Sequence, residues 1–368
     1  MANPIYLGIV GVGGVGTAFL EQLAKLLNSP QIVLLARSSQ SLLAPTPAYS
    51  PCITATNWSD AAATPSLIRK GALSPHEIAS YLAATPGRAI LVDNTSDLVL
   101  AQAYPIFLKN GVSVVTANKK GFSSEVSLWN DIFASELQGN AFVHHQCTVG
   151  GTLPVLSTLR DLIATGDEIT RIEGVLSGTL SLLLGVYMPA LGTSEMKWSS
   201  LVAHAREAGE TETDPRDDLN GLDFARKLTI IARVIGLEVP RPDSFPVQSL
   251  IPDELASLPS SSEGIAQFMS QLPDYDDRMD AIKEAARKEG KILRYFGSID
   301  VPTKTIKVGL QHVKKSSPLA NLKGSQIVSI HTKRYGATPL ILQGGGGGGE
   351  ITAMGLMADL LKTIEKLR

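Results

Sequence analysis

The chain has 368 residues, 44% of them hydrophobic, and a formal net charge of -2 at pH 7. That length carries two packed domains, and that charge gives no general drive toward nucleic acid or an acidic membrane surface. Two cysteines, Cys52 and Cys147, argue against a disulfide scaffold and fit a reducing compartment. No apolar run is long enough to span a bilayer, and MANPIYLGIVGVGG has no basic patch before its apolar residues, so a soluble cytosolic protein is expected.

Tyr6–Val10 reads as a first strand. It runs into Gly11-Val-Gly13-Gly14-Val15-Gly16 and then into TAFLEQLAKLL, whose apolar residues recur at helical spacing. Ile32–Ala36 follows as a second strand, which gives the dimensions of a βαβ unit. In that context the glycines have separate tasks. Gly11 permits the tight turn, Gly13 lets backbone approach a pyrophosphate, and Gly16 lets helix and strand close together, with the helix N-terminus facing the phosphates. A purely structural turn is the alternative. An acidic residue after the second strand would suit the ribose hydroxyls of NAD; the chain has Ala36-Arg37-Ser38-Ser39 instead. A guanidinium with neighbouring hydroxyls suits a 2′-phosphate, which favours NADP(H) over NAD(H), against a solvated loop arginine.

Ala89–Val92 ends in Asp93-Asn94-Thr95-Ser96, and Val112–Val115 ends in Thr116-Ala117-Asn118-Lys119-Lys120, with helical patterns at 97–109 and 126–137. This alternation predicts a doubly wound parallel sheet, whose ligands bind at the carboxyl ends of the strands, where both polar clusters fall. From Phe142 the pattern changes. FVHHQCTVGGTLPVLSTL reads as strand, small-residue loop and helix; 168–176 reads as a strand followed by Ser177-Gly178-Thr179 and an apolar helix; 198–208 reads as a helix. Strand-like runs return at 292–312 and 325–331.

The densest chemistry lies in DPRDDLNGLDFARKLTI, residues 214–230, with carboxylates at Asp214, Asp217, Asp218 and Asp223 and a lysine at Lys227. Asn220 is placed to cap a helix with Leu222, Ala225, Leu228, Ile231, Ala232 and Ile235 on its apolar face. Asp223 and Lys227 then lie one turn apart on one side. A solvated surface pair is the plain alternative, worth about 0.3–0.5 kcal/mol.

These segments together resemble the homoserine dehydrogenases. The glycine turn, VDNTS, TANKK, TVGGTLP, EGVLSGTLS, Glu212 with the acidic run, and the glycine-rich QGGGGGGE near the C-terminus occur in that order over nearly the whole chain, and SFPVQSLIP and NLKGS resemble the fungal branch. The resemblance implies an α/β protein. Residues 1–150, completed by 341–368, would form a Rossmann-type nucleotide domain, and 151–340 an α+β catalytic and dimerisation domain. It implies reversible reduction of L-aspartate 4-semialdehyde to L-homoserine with NAD(P)H, on the route to threonine and methionine, by a cytoplasmic enzyme working as a homodimer or a tetramer. Lys227 would be the proton donor and Lys119 the second amine at the reacting end. Glu212 and Asp223 would bind or orient the amino-acid substrate, Asp218 would support them, and Gly178 and Thr179 would line the pocket. Asp214 and Asp217 stay open between binding and structure. Cofactor contacts would come from Gly11, Gly13, Gly14, Val15, Gly16, Arg37, Ser38, Thr95, Ser96, Lys119 and Gly348.

Relatives hold a sodium- or potassium-type cation in a loop matching Gln146, Val149, Gly151 and Leu153, but they usually carry a glutamate where this chain has Gln146, so a weakened or retuned cation site is expected. No regulatory extension is recognised after Arg368, so feedback through an added ligand domain is not expected. Two rivals remain. Cys147 beside a nicotinamide could form a thiohemiacetal, with His144 and His145 close in sequence. Alternatively, the chain could be a nucleotide-binding sensor without turnover.

Overall fold

Short apolar runs separated by glycine turns build one sheet from the first part of the chain. The computed structural model describes residues 4–26, 30–50, 52–56, 58, 67–322, 324–345 and 347–368. Expectations touching Met1–Asn3, Leu27, Lys323 and Gly346 therefore lie outside the described residues. Two compact units are defined, Met1–Pro154 with Gly347–Arg368, and Val155–Gly346.

In the first unit the strands are β1 (Ile5–Val10), β2 (Gln31–Ala36), β3 (Ser41–Leu43), β4 (Ile68–Lys70), β5 (Arg88–Asp93), β6 (Ser113–Thr116) and β7 (Val143–His144). Their order is β4-β3-β2-β1-β5-β6-β7. β2, β1, β5, β6 and β7 run parallel, as expected, while β3 and β4 extend the sheet antiparallel. β1 pairs with β2 on one side and β5 on the other, so the strand order reverses there and a crevice opens beyond the carboxyl ends of β1 and β5. The glycine turn occupies that point. Gly11 has φ +88°, and a Cβ there would meet the Thr95 methyl at 2.7 Å. A Cβ on Gly16 would lie 2.1 Å from the Gly11 carbonyl oxygen, which is why the helix Gly14–Leu23 can start so close to β1. The C-terminal helix Gly349–Leu367 belongs to this unit: Leu356 and Leu360 share its buried core with Leu7, Ile9, Phe19 and Leu23.

The expected helix at 97–109 is two, Leu98–Gln102 and Tyr104–Lys109. Pro105 causes the break: lacking an N–H, it is accommodated in the first turn of the second helix and not in the middle of one.

The second unit is an antiparallel sheet of β8 (Ile169–Val175), β9 (Lys291–Asp300), β10 (Thr305–Lys314), β11 (Gln326–Thr332) and β12 (Leu340–Gly344), in the order β10-β9-β8-β11-β12. The return to the first unit, expected from 341, begins instead at Gly347, because Leu340–Gly344 pairs with β11. The helix Leu222–Val234 seats on β9 where that strand has Gly297. A Cβ there would strike Leu228 and Phe224, at 2.5 and 2.7 Å. Gln248 N–H donates to the Val308 carbonyl at 2.9 Å, so the SFPVQSLIP stretch covers the β10 edge. The segment 253–288, which carried no expectation, folds into helices including Ser262–Gln271 and Asp276–Lys288.

Gly16→Ala is expected to lower the unfolding free energy by about 1–3 kcal/mol through overpacking against Gly11. Gly13→Ala, where a Cβ meets nothing within 4 Å, should change it by less than about 1 kcal/mol. Urea titration of both variants checks the contrast.

Candidate active site

The first unit presents its candidate residues around the strand-order reversal. The helix after Gly13 has no side-chain cap and no acid in its first turn, so its leading N–H groups are available to an anion. No atom lies within 4 Å of a Cβ built on Gly13 or Gly14, which leaves room for backbone to meet a phosphate beside Val15. Gly348, with φ +99°, opens the C-terminal helix, and a Cβ on Gly349 would lie 3.1 Å from the Gly14 carbonyl oxygen, so a second helix N-terminus arrives beside the first. Asn94 donates through Nδ2 to the Gly11 carbonyl at 3.3 Å, while its Oδ1 is buried with no hydrogen-bond partner in the structure. An acceptor buried without a donor beside an open glycine cradle fits a ligand that brings hydroxyl or amide donors. Arg37 and Ser38 follow β2, both exposed, with the Arg37 guanidinium 5.2 Å from the Trp58 ring centre. Thr95 and Ser96 follow β5 at the crevice. Lys119 is partly buried and opens the short helix Lys120–Ser123 after β6.

The second unit gathers the acidic run around Lys227. The lysine is 8% exposed. Its Nζ lies 2.8 Å from Asp223 Oδ2 and donates to the Leu176 carbonyl at 2.6 Å. The plain surface pair therefore does not describe Lys227: one member of the pair is buried. Leu176 directly precedes Ser177, whose hydroxyl caps the helix Gly178–Tyr187. Asp218 accepts from the Glu212 N–H at 2.8 Å and sits beside the Thr179 hydroxyl, which donates to the Glu210 carbonyl at 2.9 Å. Burial pushes the Asp218 carboxyl above the usual range, and the charges of Glu212 and Asp223 push it further. Asp218, Thr179, Glu212, Asp223 and Lys227 are thus drawn into one neighbourhood, with Gly178 at its edge.

The two positions left open differ in their surroundings. Asp214 is structural: its carboxylate takes a two-pronged grip from Arg216, at 2.9 and 2.6 Å, while Arg216 also donates to the Leu258 and Pro259 carbonyls. Burial alone would raise the Asp214 carboxyl, but this grip holds it below the usual range. Asp217 is exposed. Asn220 does help start the helix, its Oδ1 accepting from the Leu222 N–H at 2.8 Å. Leu222 itself, expected on the apolar face, is 37% exposed because it occupies the first turn.

The loop matched to a cation site holds a hydrogen bond of its own. Gln146 is 9% exposed, and its Nε2 donates to the Leu153 carbonyl at 3.0 Å. An amide facing a carbonyl presents its NH2, so Gln146 and Leu153 satisfy each other by this hydrogen bond, with Val149 and Gly151 between them in the chain. Among the described residues, no group of three or more His, Cys, Asp or Glu could hold a metal.

The Cys147 reading also fails on geometry. The thiol is packed in the core, 3.6 Å from the Thr352 carbonyl, and burial pushes it far above its ordinary value. His144 is engaged with Thr363 at 2.9 Å, and His145 is stacked on Phe122 with ring centres 4.0 Å apart.

Sequence reasoning passed over the Leu176 carbonyl, which has no side-chain signature. It also passed over Asn94, although VDNTS had been singled out.

A parallel-sheet unit with an open glycine turn and a second unit presenting a buried lysine among acids define a nicotinamide-dependent oxidoreductase. The family model described as homoserine dehydrogenase matches residues 154–361, and the one described as homoserine dehydrogenase, NAD binding domain, matches 11–146. A homoserine dehydrogenase of Emericella nidulans is 63% identical over 368 residues, covering 100% of both chains. A crystal structure of a Candida auris protein of unknown function superposes with a TM-score of 0.91 at 41% identity, covering 100% of this chain and 99% of that one. A hyperthermophilic archaeal homoserine dehydrogenase mutant in complex with NADPH shares the fold, with a TM-score of 0.72 at 20% identity, covering 100% of this chain and 98% of that one. The chain belongs to the homoserine dehydrogenase family, and it is an NAD(P)-dependent oxidoreductase of that family.

Lys227→Met should change the unfolding free energy by less than about 2 kcal/mol, since the apolar stem is kept and Asp223, 44% exposed, returns to water. Asp223→Ala, which strips the carboxylate from a buried ammonium, should cost more. Denaturant midpoints showing the opposite order would contradict this account of the pair.

Proposed function

We propose that the protein interconverts L-aspartate 4-semialdehyde and L-homoserine with NADP(H), with NAD(H) as the poorer cofactor. The observation that carries this reading is Lys227, buried and held by Asp223 and the Leu176 carbonyl beside a cluster of acids.

When bound, the dinucleotide supplies the hydride that adds to the aldehyde carbon. The remaining work belongs to side chains. Lys227 gives a proton to the aldehyde oxygen as it becomes a hydroxyl, and its charge stabilises that oxygen during the transfer. Lys119 is the second amine of the reaction. Glu212, Asp218 and Asp223 take the substrate ammonium. A carboxylate whose proton affinity is raised by burial, and further by neighbouring carboxylates, is relieved by such a cation, and Asp218 is in that state. Gly178 and Thr179 border the substrate. The pyrophosphate would rest on Gly11, Gly13, Gly14, Val15 and Gly16 with Gly348. Arg37 and Ser38 would take the 2′-phosphate, and Thr95, Ser96 and Lys119 the nicotinamide end. No step needs a cation at Gln146.

We also propose a cytoplasmic homodimer paired through the face of the second sheet that carries Glu173, Ser298, Ser329 and Ile341, in register across four strands. Ile341 is 38% exposed there. No helix among the described residues is long and apolar enough to cross a membrane.

NADPH absorbance followed with aspartate 4-semialdehyde tests the reading. Wild-type protein should consume NADPH, and Lys227→Ala should lower kcat by about 100-fold or more. A folded, NADPH-binding wild type that leaves the aldehyde untouched would defeat it. The same assay with NADH tests Arg37: Arg37→Ala should cut the preference for NADPH over NADH by about tenfold or more, and an unchanged ratio would remove the arginine from cofactor selection.

A further inference from the structure

Beneath Lys119 lies a buried polar network that the proposed reaction does not use. Asp93 ends β5, and Tyr104, Thr116 and Asn118 surround it. All are at most 1% exposed. Asp93 Oδ1 accepts from the Thr95 N–H at 2.7 Å. Its Oδ2 accepts from the Tyr104 hydroxyl at 2.5 Å and from Asn118 Nδ2 at 3.1 Å. The Asn118 amide is used fully. Besides Asp93 it donates to the Asp97 carbonyl at 2.8 Å, and its Oδ1 accepts from the Lys120 N–H at 3.1 Å. The Thr116 hydroxyl, 3.0 Å from the Tyr104 oxygen, accepts from the Asn118 N–H at 2.9 Å. One carboxylate therefore ties the loop after β5, with Thr95, to the loop after β6, with Lys119.

The Tyr104 ring does a second job. A Cβ on Gly121 would lie 2.8 Å from Tyr104 Cε2, so the turn that follows Lys119 rests on that ring, with backbone in place of a side chain. On the same turn Phe122 is packed against His145 and Trp129, and the Lys119 carbonyl accepts from the Ser123 hydroxyl at 2.9 Å. A core needing only to be filled would not bury a carboxylate, because unpaired it costs several kcal/mol. A carboxylate that accepts one donor from each of two loops and a third from the helix Tyr104–Lys109 restricts both loops to one arrangement.

We propose that Asp93 is a positioning residue for Lys119, acting through Tyr104 and Asn118 to fix the turn that presents the lysine. This rests on the reading of Lys119 as a group at the reacting end, and the test separates the two claims.

Tyr104→Phe keeps the ring under Gly121 and removes one donor to Asp93. Asn118→Ala removes the bridge between the loops. Asp93→Asn is the direct variant, but it sets amide hydrogens against existing donors and can fail to fold, so the other two carry the test. Each is assayed by NADPH consumption with aspartate 4-semialdehyde, well below its own melting temperature, beside NADPH affinity by fluorescence. Displacing a reacting group by a fraction of an ångström slows chemistry by about tenfold or more, so kcat should fall about tenfold while KM for the aldehyde and NADPH affinity stay within about twofold.

A double-variant cycle with Lys119→Ala, read in single turnovers, then asks whether the loss passes through the lysine. Lys119→Arg replaces it if the alanine variant has no measurable rate. The Tyr104→Phe loss should nearly vanish in the lysine-variant background. Full multiplication of the two losses, or a Tyr104→Phe enzyme of lower melting temperature but wild-type kcat, overturns the positioning role and leaves Lys119 standing. A Lys119→Ala enzyme at wild-type rate overturns both.

Discussion

An ammonium group kept out of water is the constraint on which the second unit depends. Burying Lys227 costs several kcal/mol unless its charge is matched and its hydrogens are used. The fold answers with Asp223 one helical turn earlier and with the Leu176 carbonyl at the exit of β8. The second contact fixes the helix Leu222–Val234 against the end of a strand from a distant part of the chain. Gly297 fixes it from below by letting Leu228 and Phe224 close on β9. Ser177, Gly178 and Thr179 follow Leu176 directly, so anchoring the lysine also delivers the start of the next helix to the acidic turn. The contacts that make the lysine's burial tolerable also fix where its ammonium lies.

The first unit meets a different demand with backbone alone. A dinucleotide phosphate needs donors that no side chain crowds, and the reversal of strand order at β1 leaves such a gap. Gly16 closes helix to strand and Gly11 adopts a conformation closed to most residues, while Gly13 and Gly14 face empty space. The C-terminal helix then brings its own N-terminus beside Gly14. That arrival explains why the chain travels through an entire second unit before its last helix finishes the core around Leu356 and Leu360.

The parts of this that were legible in the sequence are the ones with a local cause. The β1 turn, the VDNTS and TANKK clusters and the Asp223–Lys227 spacing all follow from periodicity and residue type within a few positions. The break at Ala103 was legible in principle, since Pro105 permits only a first-turn position, but the apolar period across 97–109 masked it. The pairing of Leu340–Gly344 with β11 depends on a partner strand, and no local pattern separates it from a strand of the first sheet. The Leu176 carbonyl was invisible because every residue has one. Gln146 was visible as a departure, yet its hydrogen bond to the Leu153 carbonyl was not, because that contact depends on how the loop folds.

The acidic run shows how residues of one type divide their work. Asp214 is satisfied: Arg216 grips both of its oxygens and holds its proton affinity down, so it has little left to offer a substrate. Asp218 is the opposite case, a half-buried carboxylate with Glu212 and Asp223 nearby and its proton affinity raised. A carboxylate already neutralised by the protein stabilises the fold, whereas one left under electrostatic pressure favours whatever cation enters. Spacing along the chain cannot distinguish the two, since Asp214 and Asp218 sit one turn apart in the same stretch. Their neighbours distinguish them: an arginine two residues on for one, and other carboxylates for the other. Arg216 thus neutralises Asp214 and leaves Asp218 facing the charges of Glu212 and Asp223.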